Sequence, residues 1–171
     1  MTLKRIWVVG AEVAVYSSMP HEFLSPDVQL VAVQCVSFLS RAAYHGAELH
    51  VPFVFYSEAM TLAARAVAQG VLDWENARQL LAAAFGTTWE FHIPAWDDVL
   101  ELHSLSQPQQ GRNTHDAEYL AVAKNLNTSL VTTRRPLVER VNANRLEVNV
   151  QHIGDHPWSQ PGALDAFPPS D

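Results

Sequence analysis

The chain has 171 residues with a formal net charge of −7, and 48% of its residues are hydrophobic and 17% charged. This length and composition predict one folded domain that buries a sizeable core. The negative charge excludes a general attraction to nucleic acid, so any phosphate-binding site has to be a local basic patch or a metal. The single cysteine, Cys35, excludes an internal disulfide and fits a reducing compartment.

The first apolar run could be mistaken for a signal peptide. Lys4 and Arg5 precede the apolar residues 6–15, but Glu12 interrupts this run and no clear small-residue cleavage pattern follows it. No apolar stretch approaches the roughly 20 residues that span a bilayer. We therefore expect a buried first strand in a soluble, cytoplasmic protein that has no membrane partner.

Short apolar runs alternate with stretches of helical periodicity along the chain. In chain order, these patterns predict a strand at 6–9, a helix at 27–44 capped by Asp27, a strand at 49–54, helices at 57–68 and 74–84, a strand at 89–93, a helix at 94–105, a polar loop at 107–113, a helix at 114–125, a strand at 129–132, a short helix from Pro136 and a strand at 146–150. The alternation predicts an α/β fold, a three-layer α/β/α sandwich with a mainly parallel central sheet.

The domain organisation follows from a change in composition near the end of the chain. We assign the sandwich to residues 1–152 and a proline-rich C-terminal tail to residues 153–171. Trp158 and Phe167 are candidates for anchoring this tail to the body. The eight histidines are scattered, and surface positions are expected for them rather than a zinc site.

Two acidic residues are the candidates for chemistry. Asp116 lies in the first turn of its predicted helix, where the helix dipole favours a carboxylate, and Glu58 lies near the start of another predicted helix. Both helices start near the carboxyl edge of the predicted sheet, where sites form in such folds. Two carboxylates there could share Mg²⁺ or Mn²⁺, whose bound water could hydrolyse a phosphodiester. Taken singly, each acid is more often a helix-capping or dipole-stabilising residue.

Three segments carry a resemblance to a known family. They are WVVGAEVAV at residues 7–15, the stretch from Val51 through Glu58 to Leu72, and THDAEYLAVA at 114–123 with LVTTR at 130–134. Together they resemble the PIN domain, in particular the VapC-type ribonuclease toxins of toxin–antitoxin pairs, over about residues 5–150. The resemblance implies a PIN-like sandwich, four acids around one or two Mg²⁺ or Mn²⁺ ions, cleavage of RNA, a cognate antitoxin partner and homodimers.

Only two of the four acids that the resemblance implies are present. Glu58 and Asp116 match the second and third acids, whereas Gly10 and Arg134 stand at the first and fourth positions. Four carboxylates would carry a charge of −4, whereas Glu58, Asp116 and Arg134 together carry −1. We expect Arg134 to pair with Asp116 or Glu58, and the affinity for a divalent ion to be poor.

Two further acids are possible replacement ligands. Glu118 lies two residues beyond Asp116, and on a helix this shift turns a side chain by about 200°, so Glu118 is expected to point away from the site. Glu12 lies two residues beyond Gly10 at a strand–helix junction, where the geometry is freer. Glu12 and Glu118 therefore stay as alternative metal ligands.

A small basic corner is the candidate contact for substrate. Thr132 ends the predicted strand at 129–132, and Arg134 lies two residues beyond it. Arg112 lies in the polar loop at 107–113. These residues could contact an RNA phosphate without a metal. The plainer alternative is a solvated surface corner.

Three functional hypotheses remain open. The first is a PIN-like protein related to the toxin-type ribonucleases, with an eroded acidic site and weak or lost nuclease activity. The second is an active ribonuclease that uses Mg²⁺ or Mn²⁺ with Glu12 or Glu118 as a replacement ligand. The third is a non-catalytic module, without cofactor, that binds RNA or a protein. An antitoxin-like partner and a homodimer are expected by resemblance alone.

Overall fold

A parallel sheet forms the centre of the fold. The structure is a computed structural model that describes residues 5–20, 22, 24–106 and 114–160. The strands within these residues are β1 (Ile6–Val9), β2 (Glu48–Pro52), β3 (Glu90–His92), β4 (Ser129–Thr132) and β5 (Asn149–His152). They lie in the order β3-β2-β1-β4-β5, and every neighbouring pair is parallel.

Helices connect the strands and cover both faces of the sheet. In the described part of the chain they are α1 (Ala11–Ser17), α2 (Pro26–Tyr44), α3 (Val54–Ala68), α4 (Trp74–Gly86), α5 (Trp96–Ser106), α6 (Thr114–Asn125) and α7 (Arg135–Ala143). The chain runs from β1 to β3 in one direction across the sheet and from β3 to β5 in the other. Because parallel crossovers are right-handed, helices α1 to α4 and helices α5 to α7 lie on opposite faces. The predicted three-layer α/β/α sandwich with a parallel sheet is confirmed.

The strand order places a crevice beside β1. The chain leaves β1 toward β2 on one side, whereas β4 pairs with β1 on the other side. Helices that leave neighbouring strands toward opposite faces open a crevice at the carboxyl ends of those strands. Here these ends are Gly10 after β1 and Thr133 after β4, and the Gly10 N–H donates to the carbonyl of Val131 at 3.0 Å.

The central strands are continuous apolar runs because helices cover both faces. Val8, Val9, Val51, Leu130 and Val131 are each 0% exposed. No helix within the described ranges combines the length and the apolar character needed to cross a membrane.

Several element boundaries differ from the predictions. Helix α1 was not predicted, because residues 11–15 read equally well as an extension of the apolar first strand. Ser25 is the N-cap of α2, so Asp27 lies in the first turn instead of capping the helix. Helix α3 starts at Val54 rather than at residue 57, which moves Glu58 from the first turn to the second. The last strand covers residues 149–152 rather than 146–150.

Residues 153–160 pack against the body of the protein. Ile153 is fully buried, and Trp158 is buried beside Trp7 and Phe38, with ring centroids 5.9 and 6.1 Å away. Arg41 of α2 donates hydrogen bonds to the carbonyls at positions 157 and 160, at 3.1 and 3.2 Å. The anchoring role expected of Trp158 is confirmed, Phe167 lies outside the described residues, and the division at residue 152 stays a prediction.

Two histidines are buried, contrary to the expected surface positions. His156 is 2% exposed within the aromatic cluster of Trp7, Phe38 and Trp158. His50 is 7% exposed, and its Nδ1 lies 2.6 Å from Nε2 of His92. Apolar rings shield His156 from solvent, and His92 pairs with His50. The expected surface positions were wrong for these two histidines because the expectation treated each histidine singly.

Candidate acidic site

Glu12 lies inside the crevice between β1 and β4. Its side chain, in the first turn of α1, is 5% exposed. The Thr132 hydroxyl and the Thr133 backbone N–H, the latter at 3.2 Å, both donate to Glu12 Oε1. The sequence presented Glu12 as an alternative ligand, and the structure places its carboxylate at the carboxyl ends of β1 and β4, close enough to affect Glu58.

The Glu12 carboxylate fills the space that a side chain at position 10 would need. A Cβ atom built on Gly10 would lie 2.6 Å from Glu12 Oε2 and 2.7 Å from Glu12 Cδ. Separations below 3.0 Å are not sustained by real Cβ atoms. Glycine at position 10 is therefore the residue that lets Glu12 fold back over the end of β1.

Glu58 is the second buried acid of the crevice. It is 9% exposed, and its Oε1 lies 3.9 Å from Nη1 of Arg134. Its other oxygen, Oε2, is buried and makes no hydrogen bond of ordinary geometry in the described part of the chain, and the buried Tyr119 side chain interacts with this carboxyl. Burial and then the Glu12 carboxylate raise the pKa of Glu58, and Arg134 opposes this effect. Glu58 and Glu12 therefore interact electrostatically within one cluster.

Asp116 is the most heavily paired acid of the cluster. It lies in the first turn of α6 and is 2% exposed. Nη2 of Arg134 contacts Oδ1 of Asp116, and Nη2 of Arg140 donates to Oδ2 at 2.8 Å. Arg134 thus bridges Asp116 and Glu58, and the ion pairing expected of Arg134 is confirmed.

Arg140 and Tyr119 are site residues that sequence reasoning missed. Arg140 lies in the last turn of α7, and its partner Asp116 is 24 positions away, so no local pattern points to the pair. Tyr119 is 1% exposed, and burial, followed by the nearby Glu58 and Glu12 carboxylates, raises its pKa. The available signal for Tyr119 was its i, i+3 spacing from Asp116, which puts both on one helix face.

The structure does not support the predicted roles of Glu118 as a metal ligand and Thr132 as a substrate contact. Glu118 is half-buried, burial raises its pKa and His115 opposes this effect, and no hydrogen bond or ion pair joins Glu118 to Glu12, Glu58 or Asp116 among the described residues. Thr132 is 1% exposed, and its hydroxyl, which donates to Glu12, also accepts from the Arg134 N–H at 3.1 Å. Thr132 therefore positions Glu12 rather than facing solvent. Arg112 lies outside the described residues.

The oxygen donors of this cluster suit a divalent metal ion, whereas its two arginines oppose one. Three carboxylates, those of Glu12, Glu58 and Asp116, supply the oxygen ligands that Mg²⁺ and Mn²⁺ prefer. However, both oxygens of Asp116 are paired with arginines. Across the described ranges no group of three or more His, Cys, Asp or Glu side chains is arranged to hold a metal ion. In this arrangement the residues do not fit a divalent ion.

Solved structures share the fold. The chain is similar to PAE2754 from Pyrobaculum aerophilum, with a TM-score of 0.59 and 17% identity, over 88% of this chain and 85% of that one. It is also similar to VapBC2 from Rickettsia felis, solved bound to a DNA fragment from its promoter, with a TM-score of 0.54 and 16% identity, over 86% of this chain and 98% of that one. No protein-family model matches the sequence, and no curated protein matches it significantly. The fold is PIN-like.

Proposed function

We propose that this protein is a PIN-like relative of the toxin–antitoxin ribonucleases whose acidic site is eroded and whose nuclease activity is weak or lost. The observation that carries the proposal is the position of the Arg134 guanidinium, which pairs with both Glu58 and Asp116. A guanidinium is permanently charged and presents its donors in a rigid fork. A metal ion at this point has to displace it.

The charge of the whole cluster supports weak metal binding. Glu12, Glu58 and Asp116 contribute at most −3, and Arg134 and Arg140 contribute +2, so the cluster carries no more than −1. Four acids without arginines would carry −4. In a partly buried site this difference is poorly screened by solvent, and it weakens the attraction for a divalent cation strongly.

One observation favours an active enzyme as the second candidate. Glu12 supplies a carboxylate in the space beside Gly10, and Glu58 Oε2 makes no hydrogen bond of ordinary geometry in the described part of the chain. If Arg134 moved away, Glu12, Glu58 and Asp116 could act as the ligands of a Mg²⁺- or Mn²⁺-dependent ribonuclease. A non-catalytic module is the third candidate, because Arg134 and Arg140 side chains are 30% and 40% exposed and could contact an RNA phosphate.

A calorimetric titration with Mn²⁺ tests the leading proposal. We expect the parent protein to bind Mn²⁺ with a dissociation constant no better than about 1 mM. RNA cleavage is expected to be absent, or equally weak with and without EDTA. Tight binding by the parent that disappears in Asp116→Ala would refute the eroded site and favour the active enzyme. RNA binding that persists in EDTA and falls in Arg134→Ala would favour the non-catalytic module.

Self-association into a homodimer is part of the same proposal. Six exposed apolar residues follow the carboxyl ends of the neighbouring strands β2 and β3, and we call them the apolar stripe: Phe53, Tyr56 and Met60 after β2, and Ile93, Trp96 and Leu100 after β3. Ile93 is 81% exposed and Trp96 69% exposed. Exposed apolar side chains of this number mark a surface that another protein can cover, and Asp97 and Asp98 of α5 lie at its border. The occupant that we propose for the stripe is a second copy.

Light scattering on the protein as it elutes from a size-exclusion column measures its mass and tests the homodimer. The parent is expected to have the mass of two chains, and Ile93→Asp/Trp96→Asp the mass of one, because buried carboxylates without partners oppose association. Leu30→Asp/Trp74→Asp is the matched control, since these residues are 54% and 71% exposed outside the stripe. A parent of single-chain mass, or a stripe variant that stays dimeric, would contradict the proposal. The antitoxin-like partner stays a proposal that rests on the resemblance, and a cytoplasmic location stays a proposal that rests on the single cysteine.

A further inference from the structure

Two arginines at opposite ends of helix α7 hold the same carboxylate. Arg134 lies at the turn between β4 and α7, and Arg140 lies in the last turn of α7. Arg134 contacts Oδ1 of Asp116, and Arg140 contacts Oδ2 at 2.8 Å. The Nε atoms of both arginines are buried without hydrogen-bond partners in the described part of the chain. Among the described residues, the ion pairs of these two guanidinium groups are those with Asp116 and Glu58.

We propose that Arg134 and Arg140 together take the place of a divalent cation, and that Arg140 is an independent barrier to metal binding. This inference rests on the proposed function, because it explains the loss of metal affinity at the same cluster. Two guanidinium groups carry the same total charge as one divalent ion. They compensate the buried carboxylates that would otherwise be costly to leave unpaired.

The placement of the contacts separates the effects of the two arginines. Removing the Arg134 guanidinium frees Oδ1 of Asp116 and relieves Glu58 of its ion pair. It leaves Arg140 on Oδ2, and an ion bound to Asp116 would then lie close to a remaining positive charge. A cation on Asp116 and the Arg140 guanidinium would repel each other, because a partly buried site screens charges weakly. We therefore infer that removing Arg134 alone does not restore the affinity for a divalent ion.

Arg135 provides a matched control at the same corner. It starts α7, but its Nη1 pairs with Asp155 at 3.2 Å and its Nη2 lies 3.0 Å from Nδ1 of His152. No ion pair joins Arg135 to Asp116 or Glu58 among the described side chains. Arg135→Met changes the net charge as Arg134→Met and Arg140→Met do, without changing the cluster.

The test is a Mn²⁺ titration of the parent, Arg134→Met, Arg140→Met, the double variant and Arg135→Met by calorimetry. We expect weak binding in the parent and in Arg135→Met, a small gain in each cluster variant, and at least roughly tenfold tighter binding in the double variant than in Arg134→Met. Thermal unfolding gives a second measurement. Mn²⁺ is expected to raise the melting temperature of the double variant and to leave that of the parent unchanged.

The outcomes distinguish this inference from the proposed function. Equal Mn²⁺ affinity in the double variant and in Arg134→Met would overturn the role of Arg140 and leave the eroded site standing. Tight binding by the parent through Asp116 would overturn both. If no variant binds Mn²⁺, the proposal that the two arginines take the place of a divalent cation is overturned. If the double variant does not fold, Arg134→Met/Arg140→Gln replaces it, because glutamine keeps a neutral donor for Asp116.

Discussion

Gly10→Asp/Glu12→Ala/Arg134→Asp is expected to bind Mn²⁺ at least about 100-fold more tightly than the parent protein. The substitutions add carboxylates at positions 10 and 134 and remove the guanidinium that bridges Glu58 and Asp116. Glu12→Ala is included, because the end of the Glu12 side chain lies where a side chain at position 10 would begin. Calorimetry measures the affinity, and a variant that binds no better than the parent would contradict the expectation.

The control keeps Glu12. In Gly10→Asp/Arg134→Asp the new side chain at position 10 meets Glu12, since even its Cβ atom would lie 2.6 Å from Oε2. Overpacking typically costs about 1 to 3 kcal/mol. Because the atoms met are the end of a flexible side chain held by Thr132 and Thr133, we expect the free energy of unfolding to fall by the low end of this range relative to the triple variant. Urea denaturation of both variants measures it. Equal stability with and without Glu12→Ala would show that Glu12 is not confined to this space.

The second large effect is a loss of stability in mild acid through His156. Burial lowers the pKa of His156 from its usual 6.5 to about 4. Between these values the unfolded chain binds a proton that the folded protein does not bind, so stability falls as the pH drops from 6.5 toward 4. A shift of this size corresponds to about 3 kcal/mol at full extent. Urea unfolding at pH 7, 5.5 and 4.5 measures the loss.

His156→Asn is the control for this pH dependence. His156 Nδ1 accepts a hydrogen bond from the Trp158 N–H at 3.1 Å, and asparagine can keep that acceptor without titrating. Glu58 acts with the opposite sign, because its raised pKa makes the folded protein bind its proton more tightly. This contribution is the same in both proteins and cancels in their difference. A variant with an acid sensitivity equal to that of the parent would exclude His156 as the cause.

The strands of the sheet could be predicted from the sequence, whereas only some of the site residues could be predicted. Strand residues such as Val8 and Leu130 lie in short apolar runs that signal burial on both faces. Asp116 was identified because an acid in a first helical turn is a local feature. Glu58 lies one turn deeper than predicted, because α3 starts almost directly after β2 without an intervening loop.

The residues that sequence reasoning missed or undervalued depend on contacts between distant segments. The position of Glu12 depends on α1 starting immediately after Gly10 and on the Thr132 hydroxyl, 120 positions away. Arg140 reaches Asp116 across the interface of two helices, and neither its residue type nor its spacing from Arg134 marks it. Such pairs follow from the crossover of the chain, which composition and periodicity do not specify.

The exchange between Gly10 and Glu12 has a consequence for how distant members of this fold are compared. A column-by-column alignment scores position 10 as a glycine, whereas the carboxylate of Glu12 lies where a side chain at position 10 would begin. A carboxylate can therefore stand close to a position whose own residue carries none. In divergent chains of this kind, inheritance of a site is better judged by which volumes carry a carboxylate than by which positions do.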